Sequence, residues 1–146
     1  MAIQIIDFGS EPYMQMLQLR HQILRKPLGM ELSKRDTVED ETDILIGCFE
    51  NDKIMGCCML KKMDKQTVRL RQMAVHSGLQ GKGVGRALVG FAENIALDFG
   101  YTRMMLHARN SAVGFYQKLG FQIFGAPFTE ISLPHRLMEK RLERLM

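Results

Sequence analysis

This chain of 146 residues is short of several things, and each shortage narrows what it can be. Cysteine is the first: only Cys48, Cys57 and Cys58 occur, an odd number with no Cys-x-x-Cys pair. That pattern excludes a disulfide framework and a thiolate zinc cluster, and leaves buried free thiols in a reducing compartment. Cys57 and Cys58 are adjacent, so on a strand they face opposite sides. The four histidines lack metal-ligand spacing, so no metal is expected. No apolar stretch approaches the length of a membrane span. The start, Met1 to Gln4, lacks the basic region and long apolar run of a signal peptide, so a cytoplasmic location with no membrane partner is expected. There is no internal repeat and no low-complexity linker. Residues 1–146 therefore read as a single domain.

What is present is ordinary for a globular chain. Hydrophobic residues make up 46% and charged residues 25%, enough to bury a core without staples. The net charge of +4 suits a polyanionic small ligand as well as nucleic acid. The basic C-terminal residues Lys140, Arg141 and Arg144 come without interleaved aromatics or a helix-turn-helix pattern, so no nucleic-acid partner is expected. The twelve methionines, among them Met14, Met16, Met104 and Met105, read as core filling.

Periodicity gives the element order. Ile3 to Phe8 opens as a strand, and Ser10 caps a helix that tolerates Pro12 in its first turn. Tyr13, Met16, Leu17, Ile23 and Leu24 recur at helical spacing until Pro27 and Gly29 end the run. Residues 30–42 are polar, a loop with room for a helical turn. Three strands follow: Asp43 to Glu50, Lys53 to Lys62 and Thr67 to His76. Asn51-Asp52 and Asp64-Lys65 are the turns of this antiparallel meander. Val84, Leu88, Phe91, Ile95 and Phe99 then mark an amphipathic helix ended by Gly100. Tyr101 to Ala108 reads as a strand. Asn110 or Ser111 caps a short helix, Ala112 to Leu119, ended by Gly120. Phe121 to Phe128 is another strand. Leu133 to Leu142 reads as the last, with a charged helix over Arg136 to Met146 as the alternative. The class is α+β with a mixed sheet.

Chemistry is concentrated at Gln80-Gly81-Lys82-Gly83-Val84-Gly85-Arg86. The glycines let the backbone bend and let a ligand approach closely. The run leaves a strand and enters a long helix, whose start offers unpaired N–H groups and the positive end of the macrodipole. Lys82 and Arg86 add cationic charge. A phosphate ligand is the expectation. The Walker pattern fails because Lys82 is followed by Gly83 rather than Ser or Thr. The dinucleotide fingerprint fails because its third glycine position is Arg86.

On these residues the chain resembles the GNAT acetyltransferase superfamily, whose Gln/Arg-x-x-Gly-x-Gly/Ala signature is matched by Gln80, Gly83 and Gly85. Met73-Ala74-Val75 resembles the family strand that binds the pantetheine arm through its main chain. Ala112, Phe115, Tyr116 and Lys118-Leu119-Gly120-Phe121 resemble the family's downstream segment. Phe128, Glu130, Leu133, Pro134, His135 and Met138 further resemble the small bacterial branch that includes the ElaA-like proteins. The resemblance runs from Asp43 onward. It implies a central mixed, mostly antiparallel twisted sheet of six to seven strands with about four helices, splayed at the acetyl-CoA strand by a bulge.

The resemblance also implies an N-acetyltransferase with acetyl-CoA as co-substrate and an amine acceptor, small molecule or peptide. A homodimer is common in the family. Met73, Ala74, Val75 and Gln80 to Arg86 would hold the cofactor, with Asn110 and Tyr116. Asn110 stands two residues before Ala112 where the family has three, so capping the short helix is an equal reading. Tyr116, ordinarily protonated at neutral pH, is the expected acid for the leaving thiolate. Candidates for the base are Glu39, Asp40, Glu41, Asp43, Glu130 and His135, or a water chain. The acidic run 39–43 reads first as a solvated charge cluster. His21, His76 and His107 read as structural or exposed. A non-catalytic CoA-binding regulator on the same fold is the competing reading.

Overall fold

Short turns fix the order of the first strands. A computed structural model describes residues 1–144, in the order β1 (Ala2–Ile6), α1 (Glu11–Arg20), α2 (Lys34–Thr37), β2 (Ile44–Glu50), β3 (Lys53–Lys62) and β4 (Thr67–Val75). There follow α3 (Val84–Asp98), β5 (Arg103–Arg109), α4 (Val113–Lys118), β6 (Gln122–Glu130) and β7 (Leu133–Arg141). Asn51 and Asp52 both take left-handed backbone, φ 51° and 63°, which matches the twist of the hairpin they close. Among the described residues seven strands form one sheet in the order β1-β2-β3-β4-β5-β7-β6, with only the β4–β5 pair parallel. This is the GNAT-like sheet expected, at the upper end of the strand count, with four α-helices around it.

Helix α3 covers one face of the sheet through Val84, Leu88, Val89, Ala92 and Ala96. Its seam runs over the two alanines rather than out to Phe99, which is 60% exposed. Helix α1 covers the other face through Tyr13, Met16 and Leu19. The two adjacent cysteines divide between these layers, Cys58 under α3 and Cys57 under α1, and all three thiols are free and buried. Met16 is fully buried, but Met14 is exposed, so the methionine pattern is not uniformly core.

The sheet splits in its middle. β4 pairs with β5 only from Thr67 to Leu70. On its other side, β4 pairs with β3 from Met59↔Arg71 to Cys57↔Ala74, so β4 spends one residue more than its partner. That is a β-bulge, and Gln72 sits in it at φ +54°. Past the bulge β4 diverges from β5, and β5 pairs with β7 alone. A wedge opens between them.

A buried polar cluster backs the bulge. Arg20, at the end of α1, donates from Nε to Gln72 Oε1 at 3.1 Å and from Nη1 to Asp40 Oδ2 at 2.8 Å. Its second terminal nitrogen donates to the Asp36 carbonyl at 2.9 Å, and Tyr13 donates to the same Asp40 oxygen at 2.6 Å. Arg20 and Asp40 are both fully buried. Burial first, and then the Asp40 carboxylate, push the Tyr13 phenol above its usual range. The acidic run is thus only partly solvated: Glu41 is exposed, but Asp40 is buried against Arg20 and Asp43 lies against Arg71 at 3.1 Å. Sequence could not see the distant arginines that draw these carboxylates inward.

Two boundaries differ from expectation. The first helix does not run smoothly to Pro27 but widens into a π-helical turn over His21–Arg25, then a 3-10 turn over Lys26–Leu28. β6 is interrupted between Phe124 and Phe128, where Gly125 at φ +73° and Pro127 break the register. The last segment is a strand; the end of its helical alternative, residues 145–146, lies outside the described residues.

Removing one half of a buried ion pair strands the other charge, at a cost of about 3–5 kcal/mol. Asp40→Ala should therefore lower unfolding free energy by about that amount in urea titration. A loss below about 1 kcal/mol would show that the cluster is not a structural anchor.

Candidate active site

The wedge is the mouth of a cavity of about 1360 Å³. Pockets for one drug-sized ligand are smaller, about 300–1,000 Å³, so there is space for two reactants. Met73 and Val75 line it from β4, Gln80, Gly81, Gly83, Gly85 and Arg86 from the loop and helix start. Tyr116 lines it from α4 and His135 from β7.

The loop has the form its glycines imply. Gly81 and Gly83 take φ +81° and +88°, and a Cβ at either would meet nothing within 4 Å. Gly83 is the N-cap of α3 and has no side chain to satisfy the first-turn N–H groups, which stay open toward the cavity. Gly85 is favoured for a different reason: a Cβ there would lie 3.1 Å from Phe115 Cζ, tight enough to push that ring aside by a few tenths of an ångström. Lys82 and Arg86 are exposed beside the helix start. The Gln80 side chain turns back and donates to the Val75 carbonyl at 3.2 Å, tying the loop to β4.

Four of the residues expected at the cofactor are not among those lining the cavity. Ala74 and Val84 are buried, Ala74 in the α1 layer and Val84 in the α3 layer, so only their main chains could meet a ligand. Lys82 is not among the cavity-lining residues. Nor is Asn110, which is exposed in a 3-10 turn (Asn110–Ala112). The cap of α4 is Ala112, with no side-chain hydrogen bond, so neither Asn110 nor Ser111 caps that helix. The tight 3-10 turn takes the place of a side-chain cap.

The Tyr116 ring is buried between Phe115 and Phe121, with centroid distances of 4.9 and 5.7 Å. Burial pushes the phenol above its ordinary value near 10, with Cys58 adding a smaller effect. It therefore stays protonated across the neutral range.

His135 is almost fully buried. Its Nδ1 lies 2.8 Å from the Leu133 carbonyl, which can only accept, so Nδ1 carries the proton. The lone pair of the neutral ring is then on Nε2, 3.6 Å from Glu130 Oε2. That gap is too long for a direct hydrogen bond and suits a bridging donor. Glu130 is held below the usual carboxylate range: a hydrogen bond from His107 depresses its pKa most, burial opposes this, and the charge of Arg69 adds to the depression.

The sequence reading missed Arg69, His107 and Arg109, all of which line the cavity. His107 is half-buried rather than merely structural or exposed, with Nδ1 at 3.1 Å from Arg69 and 3.4 Å from Glu130. Their alternation along β5, at 107 and 109, was the available signal. Alone it reads as an ordinary solvent-facing strand.

A model described as Acetyltransferase (GNAT) family matches residues 11–121. The Bacillus subtilis protein YyaT is 31% identical over 114 residues, covering 78% of this chain and 76% of its own. An N-acetyltransferase of that organism, YitI, is 26% identical, covering 76% of this chain and 78% of its own. Among solved structures, Escherichia coli ElaA superposes with a TM-score of 0.82 at 22% identity, covering 95% of this chain and 98% of ElaA. An aminoglycoside 6'-N-acetyltransferase complexed with coenzyme A gives 0.83 at 17% identity, covering 100% and 99% of the two chains.

The loop conformation makes a paired prediction. An alanine at the left-handed Gly83 should cost roughly 1 kcal/mol of stability. Gly90, exposed in the middle of α3 with open space at its Cβ, should gain about 0.5–1 kcal/mol as alanine. Urea titration of both variants separates the two signs.

Proposed function

The chain belongs to the GNAT family of acetyltransferases and is an acyl-CoA-dependent N-acetyltransferase; on that premise we propose which of its residues carry acetyl transfer to an amine. The observation that carries the reading is the alignment of three features along one cavity: an uncapped helix start, a strand edge freed by a bulge, and a protonated tyrosine. The donor supplies the activated acetyl thioester.

The open N–H groups from Gly83 into α3, with Arg86 beside them, fit a pyrophosphate. The edge of β4 beyond Gln72, no longer paired with β5, offers main-chain groups at Met73 to Val75 for an extended arm. A main-chain N–H there stabilises the oxyanion that forms as the amine adds. Gln80 occupies the Val75 carbonyl but not its N–H, so the main-chain N–H groups along Met73 to Val75 all stand as candidates for that contact.

Proton handling falls to two residues. An amine arrives as an ammonium and must lose a proton before it attacks. His135 Nε2 takes that proton, directly or through a water held by Glu130. The amine nitrogen bonds to the carbonyl carbon, the carbon–sulfur bond breaks, and the sulfur leaves as thiolate. Tyr116 meets that thiolate with its hydroxyl. A phenol held above 10 is a weaker acid than a thiol near 8.5, so full transfer from Tyr116 is uphill. Its contribution is therefore a hydrogen bond that grows as charge develops, with a proton from the amine replacing whatever it gives. The products are an acetamide and free thiol.

Tyr116→Phe should lower kcat by about 100-fold or more while acetyl-CoA affinity stays within about twofold. His135→Gln should lower kcat about tenfold or more at neutral pH. Both are read as thiol release from acetyl-CoA with an acceptor panel. Unchanged turnover in Tyr116→Phe would contradict the assigned role. Because the Tyr116 pKa lies above its ordinary value, its ionisation should produce no fall in kcat below about pH 10.

A further inference from the structure

The acceptor half of the cavity has an unusual charge. Six arginines line the whole cavity against three carboxylates. Part of that excess is internally matched: Arg25 pairs with Asp36 at 2.8 Å and Arg71 with Asp43 at 3.1 Å. Arg86 stands at the α3 start, on the donor side, and Arg35 is exposed on α2. Arg69 and Arg109 remain, and they project from β4 and β5, the two strands that border the wedge.

Neither has a proper counter-ion. Arg69 approaches Glu130 only at 4.0 Å, lies 3.1 Å from His107 Nδ1, and among the described residues leaves a buried Nε without a partner. Arg109 donates to the Leu24 carbonyl at 2.9 Å and, among the described residues, forms no ion pair. Both guanidinium groups are partly desolvated, and burial is the largest influence pulling their pKa values down, with Arg71 and Arg25 adding repulsion. Cations held out of water without an anion are costly, and an anionic ligand reverses that cost. Between them lies Glu130, a carboxylate suited to an ammonium group, and next to it the Nε2 atom of His135.

We propose that the acceptor is a small zwitterion, an amine that also carries a carboxylate, with Arg69 and Arg109 binding the anionic end while the amine lies toward Glu130 and His135. This rests on the reading of the cavity as an acetyl-transfer site and adds the chemical class of its second substrate. The same charges work against polycationic amines. An aminoglycoside carries several ammonium groups and would bring them against two arginines, so likeness in fold to an aminoglycoside acetyltransferase does not extend to its acceptor.

The test is an acceptor series in matched pairs: free α-amino and ω-amino acids against the corresponding amides, with spermidine and kanamycin as the polycationic arm. Thiol release from acetyl-CoA is the readout, and acetyl-CoA binding is measured separately by calorimetry. The expected result is kcat/KM at least about tenfold higher for the carboxylate member of a pair, with little turnover of the polycations. Arg69→Met and Arg109→Met should each lower kcat/KM for the carboxylate acceptor about 10- to 100-fold and bring its ratio to the amide toward unity, with acetyl-CoA affinity and thermal midpoint retained. If acetyl-CoA binds but carboxylates are not preferred, or the polycations are the better acceptors, the proposal is overturned. It is also overturned if the variants lose both acceptor classes equally while still binding acetyl-CoA. If acetyl-CoA itself does not bind, the underlying reading of the cavity fails instead.

Discussion

The hydrogen bond from Arg20 to Gln72 is the constraint on which the rest of the site depends. Gln72 is a non-glycine residue in left-handed backbone, a conformation costing about 1 kcal/mol that persists only when its surroundings hold it. Arg20 does so from the far layer of the protein, and its own charge is compensated by Asp40. Through this one residue the packing of α1 is coupled to the bulge in β4. The bulge in turn ends the pairing of β4 with β5 after Leu70, and the wedge is the consequence. A cavity is thus created by interrupting a sheet rather than by carving its surface.

That origin explains how unlike chemistries share one space. On the α3 side the wedge meets a helix start stripped of capping side chains, which favours anions through main-chain N–H groups. On the opposite face it meets side chains of β4, β5, β6 and β7, where arginines, histidines and one carboxylate converge. Phosphate recognition needs no side-chain identity, only open backbone. Acceptor recognition depends wholly on side chains. The first is therefore shared across a family, while the second is free to vary within one fold.

This division also sets what could be read from the sequence. The meander, the amphipathic helix and the glycine loop were legible because periodicity, turn residues and glycine spacing are local signals. Gly81 and Gly83 proved to be left-handed, and Tyr116 and His135 lie on the cavity. Asp40 was misread because its partners Arg20 and Tyr13 are far away in sequence, and a run of acids looks solvated until a buried guanidinium is placed beside it. Asn110 was misjudged because a 3-10 turn can begin α4 without a side-chain cap. Arg69, His107 and Arg109 escaped for a third reason: polar residues at alternate strand positions usually mean water, and here they mean a cavity that exists only after β4 and β5 part.

The central claim is that donor binding and thioester chemistry both follow from the wedge beside β4. A crystal structure of the acetyl-CoA complex tests it most directly. The account requires the pyrophosphate on the main-chain N–H groups between Gly81 and Arg86, and the thioester carbonyl at the β4 edge along Met73 to Val75. It also requires the sulfur within hydrogen-bonding reach of the Tyr116 hydroxyl. Pyrophosphate bound away from this loop, or a thioester outside the β4–β5 wedge, would contradict it.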